Sequence, residues 1–492
     1  MAARTLPLTI ASALAALLAH AGCGGGATPV TPLEHEALLD PEACKTCHPA
    51  AYEEWSGSMH AYASEDPVFR AMNQRVQRES KGAAGDFCVK CHAPMAVQTS
   101  MTMDGLNLDT LPAKMKGVTC YFCHAAESVG GTHNNPLTLS QDDTLFGPFN
   151  DPVAATPHKG VYSRLLDGAT LESASMCGSC HDIQNLQGAH VERTFEEWQG
   201  TLFSQPPNGQ GCGGCHMKAT TSGPVSTVSD KQRKIHPHGM PGVDLAVTDF
   251  AGVDKQRALA QGMLDPLIQP TLCYNPLDQR MELTLENVTA GHSFPSGATP
   301  DRRAWIEMTA YKGEEVLFTS GADAGPLEDS SDPNLWLMRD CLFDGAGQEK
   351  KMFWEAVTTS GNAVPGSVLL SVADPDSFNR SHPRKYYPAT GMLPTMPDRV
   401  TLKIHLQAIG DDVLQDLVQS GDLDASIPPQ IARYTLGGAA SFEWTPATAS
   451  VVNDPKSGAM LCVVKPIKYR TNIVAAVSNS HCVPPPSATP TQ

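Results

Sequence analysis

Five segments of the chain repeat one arrangement: two cysteines separated by two residues, with a histidine directly after the second. They are Cys44-Lys45-Thr46-Cys47-His48, Cys88-Val89-Lys90-Cys91-His92, Cys120-Tyr121-Phe122-Cys123-His124, Cys177-Gly178-Ser179-Cys180-His181 and Cys212-Gly213-Gly214-Cys215-His216. Chance places on the order of 0.02 such motifs in a chain of this composition. Two thiols this far apart reach the two vinyl groups of a porphyrin as thioethers, and the next imidazole turns under the ring to bind its iron. Zinc ribbons have no use for a histidine after every pair. A disulfide oxidoreductase carries one CxxC per domain, and a disulfide closed within each pair is strained. The pattern therefore reads as five covalently attached haems c. Their thioethers come from the ten cysteines, and His48, His92, His124, His181 and His216 are the proximal iron ligands.

The placement of these residues divides the chain. Eleven of its 15 cysteines and 13 of its 17 histidines fall within the first 240 of 492 residues. Roughly forty residues per motif is too little chain to give each ring its own core, so the rings must pack together and pass single electrons along. Aromatic residues are only 6% of the chain, in keeping with porphyrins supplying the flat apolar surface that Phe and Trp usually supply.

A second axial ligand decides whether each iron is closed or open to substrate. His60 follows a helical stretch, Pro49 to Trp55, with Tyr52 and Trp55 on one face and a turn at Ser56-Gly57-Ser58. His158 stands between Pro157 and the apolar Val161, Leu165 and Leu166, and His133 ends the loop Gly130-Gly131-Thr132. His236 and His238 flank Pro237, and His238 is the preferred one of the two. His292 sits in Ala290-Gly291-His292-Ser293-Phe294-Pro295-Ser296-Gly297, a connection between strands from which it can reach back to cap a haem. Each of these competes with a plain surface or core histidine, and His190, near a helix start, reads as surface. Met59, Met95, Met217 and Met240 read as packing residues. Tyr52-Glu53-Glu54-Trp55-Ser56-Gly57-Ser58 is echoed by Phe195-Glu196-Glu197-Trp198-Gln199-Gly200-Thr201, and Thr194 to Glu197 has the form of a capping box. The echo is either a duplicated plan or an amphipathic helix repeated by chance.

The fold class is a multidomain α+β chain: a mostly helical, loop-rich multihaem domain followed by a β-sandwich-like domain. Residues 1–22 read as an export signal, with Arg4, the apolar run Leu6 to Leu18, and Ala19-His20-Ala21 for cleavage. Ala21-Gly22-Cys23 also has the form of a lipobox, which would acylate Cys23, although His20 stands where Leu is usual. Cleavage, acylation and a retained anchor all place the chain outside the cytoplasm, periplasmic or on the outer membrane of a bacterium. Residues 23–40 form a tether, 41–240 the pentahaem domain and 241–279 a connecting segment. From 280 to 450 the pattern becomes β-rich, with Met281, Leu283, Leu285 and Val400, Leu402, Ile404, Leu406 alternating with polar residues. A cysteine-containing tail, 451–492, completes the chain. Cys273, Cys341, Cys462 and Cys482 lie outside the motifs, either as two disulfides in one of three connectivities or as free thiols.

These residues resemble the multihaem cytochrome c family typified by the tetrahaem electron acceptor of hydroxylamine oxidoreductase. The likeness rests on Cys44-x-x-Cys47-His48-Pro49 with Tyr52, Trp55, Ser58 and His60-Ala61, on Gly117-Val118-Thr119-Cys120, and on Cys212 to Met217. Related periplasmic multihaem proteins carry a His-x-Phe-Pro-x-Gly segment similar to His292 to Gly297. The resemblance spans roughly residues 41 to 320. It implies helical haem packing, iron held between two histidines and electron transfer, with His60, His158 and His292 as preferred distal ligands. This chain departs from it in having five motifs and a long C-terminal half.

Function follows from the iron. A net charge of −17 disfavours nucleic acid as a partner. Six-coordinate haems make an exported electron carrier, served by other cytochromes or a membrane quinol oxidoreductase and held at a membrane through a lipid anchor. The alternative is an oxidoreductase acting on a small nitrogen or sulfur compound at one open haem. Ammonia-forming nitrite reductases mark that haem with a CxxCK motif, which is absent from this sequence. A β module that docks a partner is compatible with the carrier.

Overall fold

The computed structural model describes residues 32–485 apart from 154–156, 208, 323–326, 372, 374–377, 380, 438–441, 455–457, 465–471 and 476–481. The segment read above as an export signal, Cys23 and the last residues of the tail lie outside the described residues. Among those described, no helix is long and apolar enough to cross a membrane.

The motif-bearing part consists of short helices joined by loops and two-stranded ribbons. Its helix starts follow elementary rules. Asp40 accepts from the Glu42 amide and Pro41 opens the helix Pro41–Lys45, while Pro49 opens Pro49–Ser56 directly after His48. Ser58 caps Met59–Tyr62 by accepting from the Ala61 amide, and Asp66 caps the 13-residue helix Pro67–Glu79 through Val68. The second, third and fifth motifs form the short helices Val89–His92, Cys120–His124 and Cys212–His216. Ribbons such as Ile183–Gln184 with His190–Glu192, and Thr221–Ser226 with Ser229–Ile235, fill the spaces between them.

The C-terminal half is built from two sheets. One runs in the order Ser450–Asp454, Gly458–Val464, Ile268–Asn275, Arg280–Asn287, Ser381–Tyr387, Asn472–Ala475. The other runs Glu315–Ser320, Arg303–Lys312, Arg399–Gln407, Arg433–Thr435, with Leu337–Met338 and Phe442–Trp444 paired to its central strands. Leu272, Met281, Leu283 and Leu285 of the first sheet share one core with Ala304, Ile306, Met308, Val400, Leu402 and Ile404 of the second, which is the packing of a β-sandwich. Helix Asp411–Gln419 buries Val413, Leu414 and Leu417 in the same core.

Strands also lie on both sides of the 280–450 stretch. Ile268–Asn275 pairs residue for residue with Arg280–Asn287 and is buried almost throughout, and Gly458–Val464 joins its other edge. Ile268–Asn275 shows no polar–apolar alternation, and a strand covered on both faces need not show one. Between the halves, Val253–Leu264 forms a helix that buries Gln256, Ala260 and Leu264 at four-residue spacing. The four remaining cysteines form Cys273–Cys462 and Cys341–Cys482. The motif-bearing part is fastened to the sandwich by Val68 and Ala71 in the shared core, by Arg78 on Asp422 (2.5 and 2.7 Å) and by Arg193 on Asp340 (2.5 Å).

Candidate haem centre

All ten motif cysteines and all five motif histidines line one connected cavity of about 1530 Å³, which also takes in His60, His158, His236, His238 and His292. His133 is outside it.

Every motif imidazole has its Nδ1 occupied. Nδ1 donates to the carbonyl of Val225 from His48 (2.8 Å), of Ala63 from His92 (3.0 Å), of Phe146 from His124 (2.7 Å) and of Pro241 from His216 (2.8 Å). His181 donates instead to the carboxylate of Glu192, at 3.2 Å. A hydrogen bond at Nδ1 fixes the tautomer and leaves Nε2 as the metal-binding atom. His92 has a further brace, since Phe69 stacks on it with ring centres 3.9 Å apart and planes 4° from parallel.

Three of these imidazoles face another imidazole across the cavity. Ring centres are 6.4 Å apart for His48 and His158, 6.4 Å for His124 and His238, and 6.2 Å for His181 and His60. Two imidazoles sharing one metal ion through Nε2, each at about 2.0 Å, hold their ring centres roughly 6.3 Å apart. His292 lies close enough to His216 to depress its basicity. Its Nδ1 donates to the Ser293 carbonyl at 2.8 Å, again leaving Nε2. Among the described residues, no second imidazole is paired with His92. Of the Pro237 neighbours, His238 is the one opposite His124, while Nδ1 of His236 donates to the Met217 carbonyl at 3.0 Å. His133 is paired with His190, ring centres 6.0 Å apart, rather than with a motif histidine. Met240 places its sulfur 3.1 Å from Nδ1 of His60.

Burial decides the protonation of these groups. It pulls His60, His216 and His238 down to about 4, helped by neighbouring imidazoles, so they are neutral and able to ligate. Burial pushes the Cys88 and Cys123 thiols up to about 12. At His181 burial lowers basicity, but Glu192 opposes it and holds the group at about 9. Thiols of different motifs meet: Cys44 lies against Cys120, Cys91 against Cys180, and Cys177 against Cys212. The fourth motif therefore adjoins the second and the fifth, while the third adjoins the first.

Local packing explains several sequence features. Trp55 donates to the Val118 carbonyl (2.7 Å) and Trp198 to the Gln210 carbonyl (2.9 Å). In each case the acceptor stands two residues before the first cysteine of a motif, so the two similar helices brace the third and fifth motifs alike. Gly117 adopts φ +66 with the His60 and Ala61 carbonyls against it, a close approach that a side chain would block. Thr194 and Glu197 do not close a capping box on their own helix. Thr194 binds Ser296 and Gly297, and Glu197 accepts from the Ser293 amide and the Ser296 hydroxyl. They clamp the segment that presents His292, a long-range use of residues whose spacing suggests a local cap.

The donor set fits haem c. Imidazoles stand in opposed pairs across an apolar cavity, with paired thiols beside each motif imidazole. Among the described residues, the motif cysteines and histidines form no group of three ligand atoms within 4.8 Å of one another, which a closed zinc site would require. Glu192, Phe69 and the four acceptor carbonyls were not legible in sequence. A carbonyl belongs to every residue, and nothing in Val191-Glu192-Arg193 singles out the acid.

The family model described as cytochrome c554 and c-prime matches residues 43–125, which hold the first three motifs. A search of curated proteins returns no match. Among solved structures, the crystal structure of a penta-heme cytochrome c552 from Thermochromatium tepidum is similar, with a TM-score of 0.56 and 20% identity, covering 83% of this chain and 99% of that one. With its motifs gathered on one cavity and this likeness across both halves, the chain has the fold of a multihaem cytochrome c.

Proposed function

We propose that the protein is an exported cytochrome that carries single electrons through five covalently bound haems c, attached at Cys44/Cys47, Cys88/Cys91, Cys120/Cys123, Cys177/Cys180 and Cys212/Cys215. The observation that carries this reading is the spacing of the imidazole pairs, 6.2–6.4 Å between ring centres at three motifs. His48 with His158, His124 with His238 and His181 with His60 would each hold one iron between two imidazoles, and His292 would serve alongside His216. His133 stands apart from these pairs. Bound haems supply one-electron ferric/ferrous chemistry. The chain holds His60, His216 and His238 neutral, fixes the Nδ1 proton of each motif imidazole on an acceptor, and crowds neighbouring motifs into contact. Redox proteins are the partners, and acylation at Cys23 would keep the chain at a membrane surface.

One observation favours a second reading, an oxidoreductase acting on a small nitrogen or sulfur compound. Among the described residues His92 has no opposing imidazole, so the iron it holds is the candidate open centre. Electron paramagnetic resonance of the oxidised protein separates the two. Low-spin signals alone support the carrier. A stoichiometric high-spin signal that changes with nitrite or hydroxylamine supports the oxidoreductase.

A further inference from the structure

We propose that Glu192 is a positioning residue that holds the iron on His181 at a lower reduction potential than the other four; this rests on the haem reading above. The contrast within the molecule carries the argument. Four motif imidazoles give their Nδ1 proton to neutral backbone carbonyls at 2.7–3.0 Å, and only His181 gives it to a carboxylate. A carboxylate behind a ligating imidazole increases the basicity of the ligand. That favours ferric over ferrous iron, because the more electron-rich ligand stabilises the higher charge. Reduction is then one electron entering from a donor, with the proton staying on Nδ1 and no bond formed or broken.

Glu192 is free to act in this way. Its side chain is 17% exposed, so water screens it little. Arg302, a guanidinium on which the Glu192 charge acts, is already committed to both oxygens of Asp244 (2.7 and 2.6 Å) and to the Ala408 carbonyl. The position in the cluster gives the effect a consequence. The fourth motif adjoins the second through Cys180 and Cys91 and the fifth through Cys177 and Cys212. The centre that joins these neighbours is therefore the last to fill, and electrons collect on either side of it first.

The test is a spectroelectrochemical titration with dithionite of the full five-haem protein and of Glu192→Gln. Glutamine keeps an oxygen for the Nδ1 proton and removes the charge. The lowest of the five one-electron steps should rise by about tenfold in its equilibrium constant, ~59 mV for one electron, with the other steps in place. Five unchanged steps overturn the proposal, because a purely structural hydrogen bond survives in glutamine. If the variant does not fold, the wild type decides. The low-spin resonance lost in His60→Ala should be the last to disappear on reduction, and its loss among the first overturns the proposal. A haem count below five in the wild type refutes the underlying reading instead of the role of Glu192.

Discussion

The imidazoles of the cavity are held from behind before any iron is considered. With Nδ1 of His48, His92, His124 and His216 tied to carbonyls, each ring has one orientation and one free nitrogen. Removing the opposing ring should therefore open a single iron without moving its neighbours. His158→Ala and His238→Ala are each expected to convert one low-spin signal to high-spin, opposite His48 and His124 respectively, in electron paramagnetic resonance. An unchanged spectrum rejects that pair. Away from the cavity centre, Asp301 is buried beside Arg302 and Arg303, and burial raises its carboxyl to about 7 despite both cations. A folded-state value above the ordinary carboxylate range means the stabilisation is complete in acid, below about 4, and is lost as pH rises through 7. Asp301→Asn should flatten that part of the melting temperature against pH profile, a change of a few kcal/mol at most. A profile identical to the wild type contradicts the assignment. At this scale the sequence was informative wherever chemistry is carried by residue type, as in the motifs. It was silent wherever the partner is a carbonyl, and a clustered spacing such as Gly130 to His133 does not reveal that His133 ends beside His190.

At the scale of elements, small helices do the positioning, and their contacts explain residues that look free. Gly178 is the second residue of the fourth motif, and a Cβ there would lie 2.2 Å from the Phe195 ring. Gly178→Ala must push Phe195 out of its packing with Trp198 and Ala174, an overpacking cost of about 1–3 kcal/mol. It should also misplace Cys177 and Cys180, read as a lower melting temperature together with one haem fewer by pyridine haemochrome. Full haem content in this variant would show that the motif tolerates the side chain. The paired helices Pro49–Ser56 and Thr194–Gln199 were visible as a sequence echo, because tryptophan and two acids recur in order. Their shared task, a bond to a carbonyl two residues before a motif, was not visible, since it depends on where the two motifs arrive in space. Likewise the strands Arg280–Asn287 and Arg399–Gln407 can be read directly because polar and apolar residues alternate along them, whereas Ile268–Asn275 has no such alternation and cannot, although Arg280–Asn287 is as deeply buried.

For the whole molecule, one core runs from the helix Pro67–Glu79 through both sheets, while the motif cavity lies against it. The disulfide Cys273–Cys462 ties the central strand of the first sheet to its neighbour across 189 residues of chain. Cys462→Ser should cost about 2–4 kcal/mol, seen in denaturant unfolding of the β module, with the Soret spectrum unchanged in the folded state. Loss of haem absorption in that variant would mean that the two halves do not hold their structure separately. We propose that the five CxxCH motifs gathered on the cavity are five sites of covalent haem attachment. A pyridine haemochrome assay on acid-acetone-extracted protein, matured in a host with cytochrome c assembly, tests it most directly. The account requires five haems per chain retained after extraction; protein that loses its colour to the solvent, or holds clearly fewer than five, contradicts it.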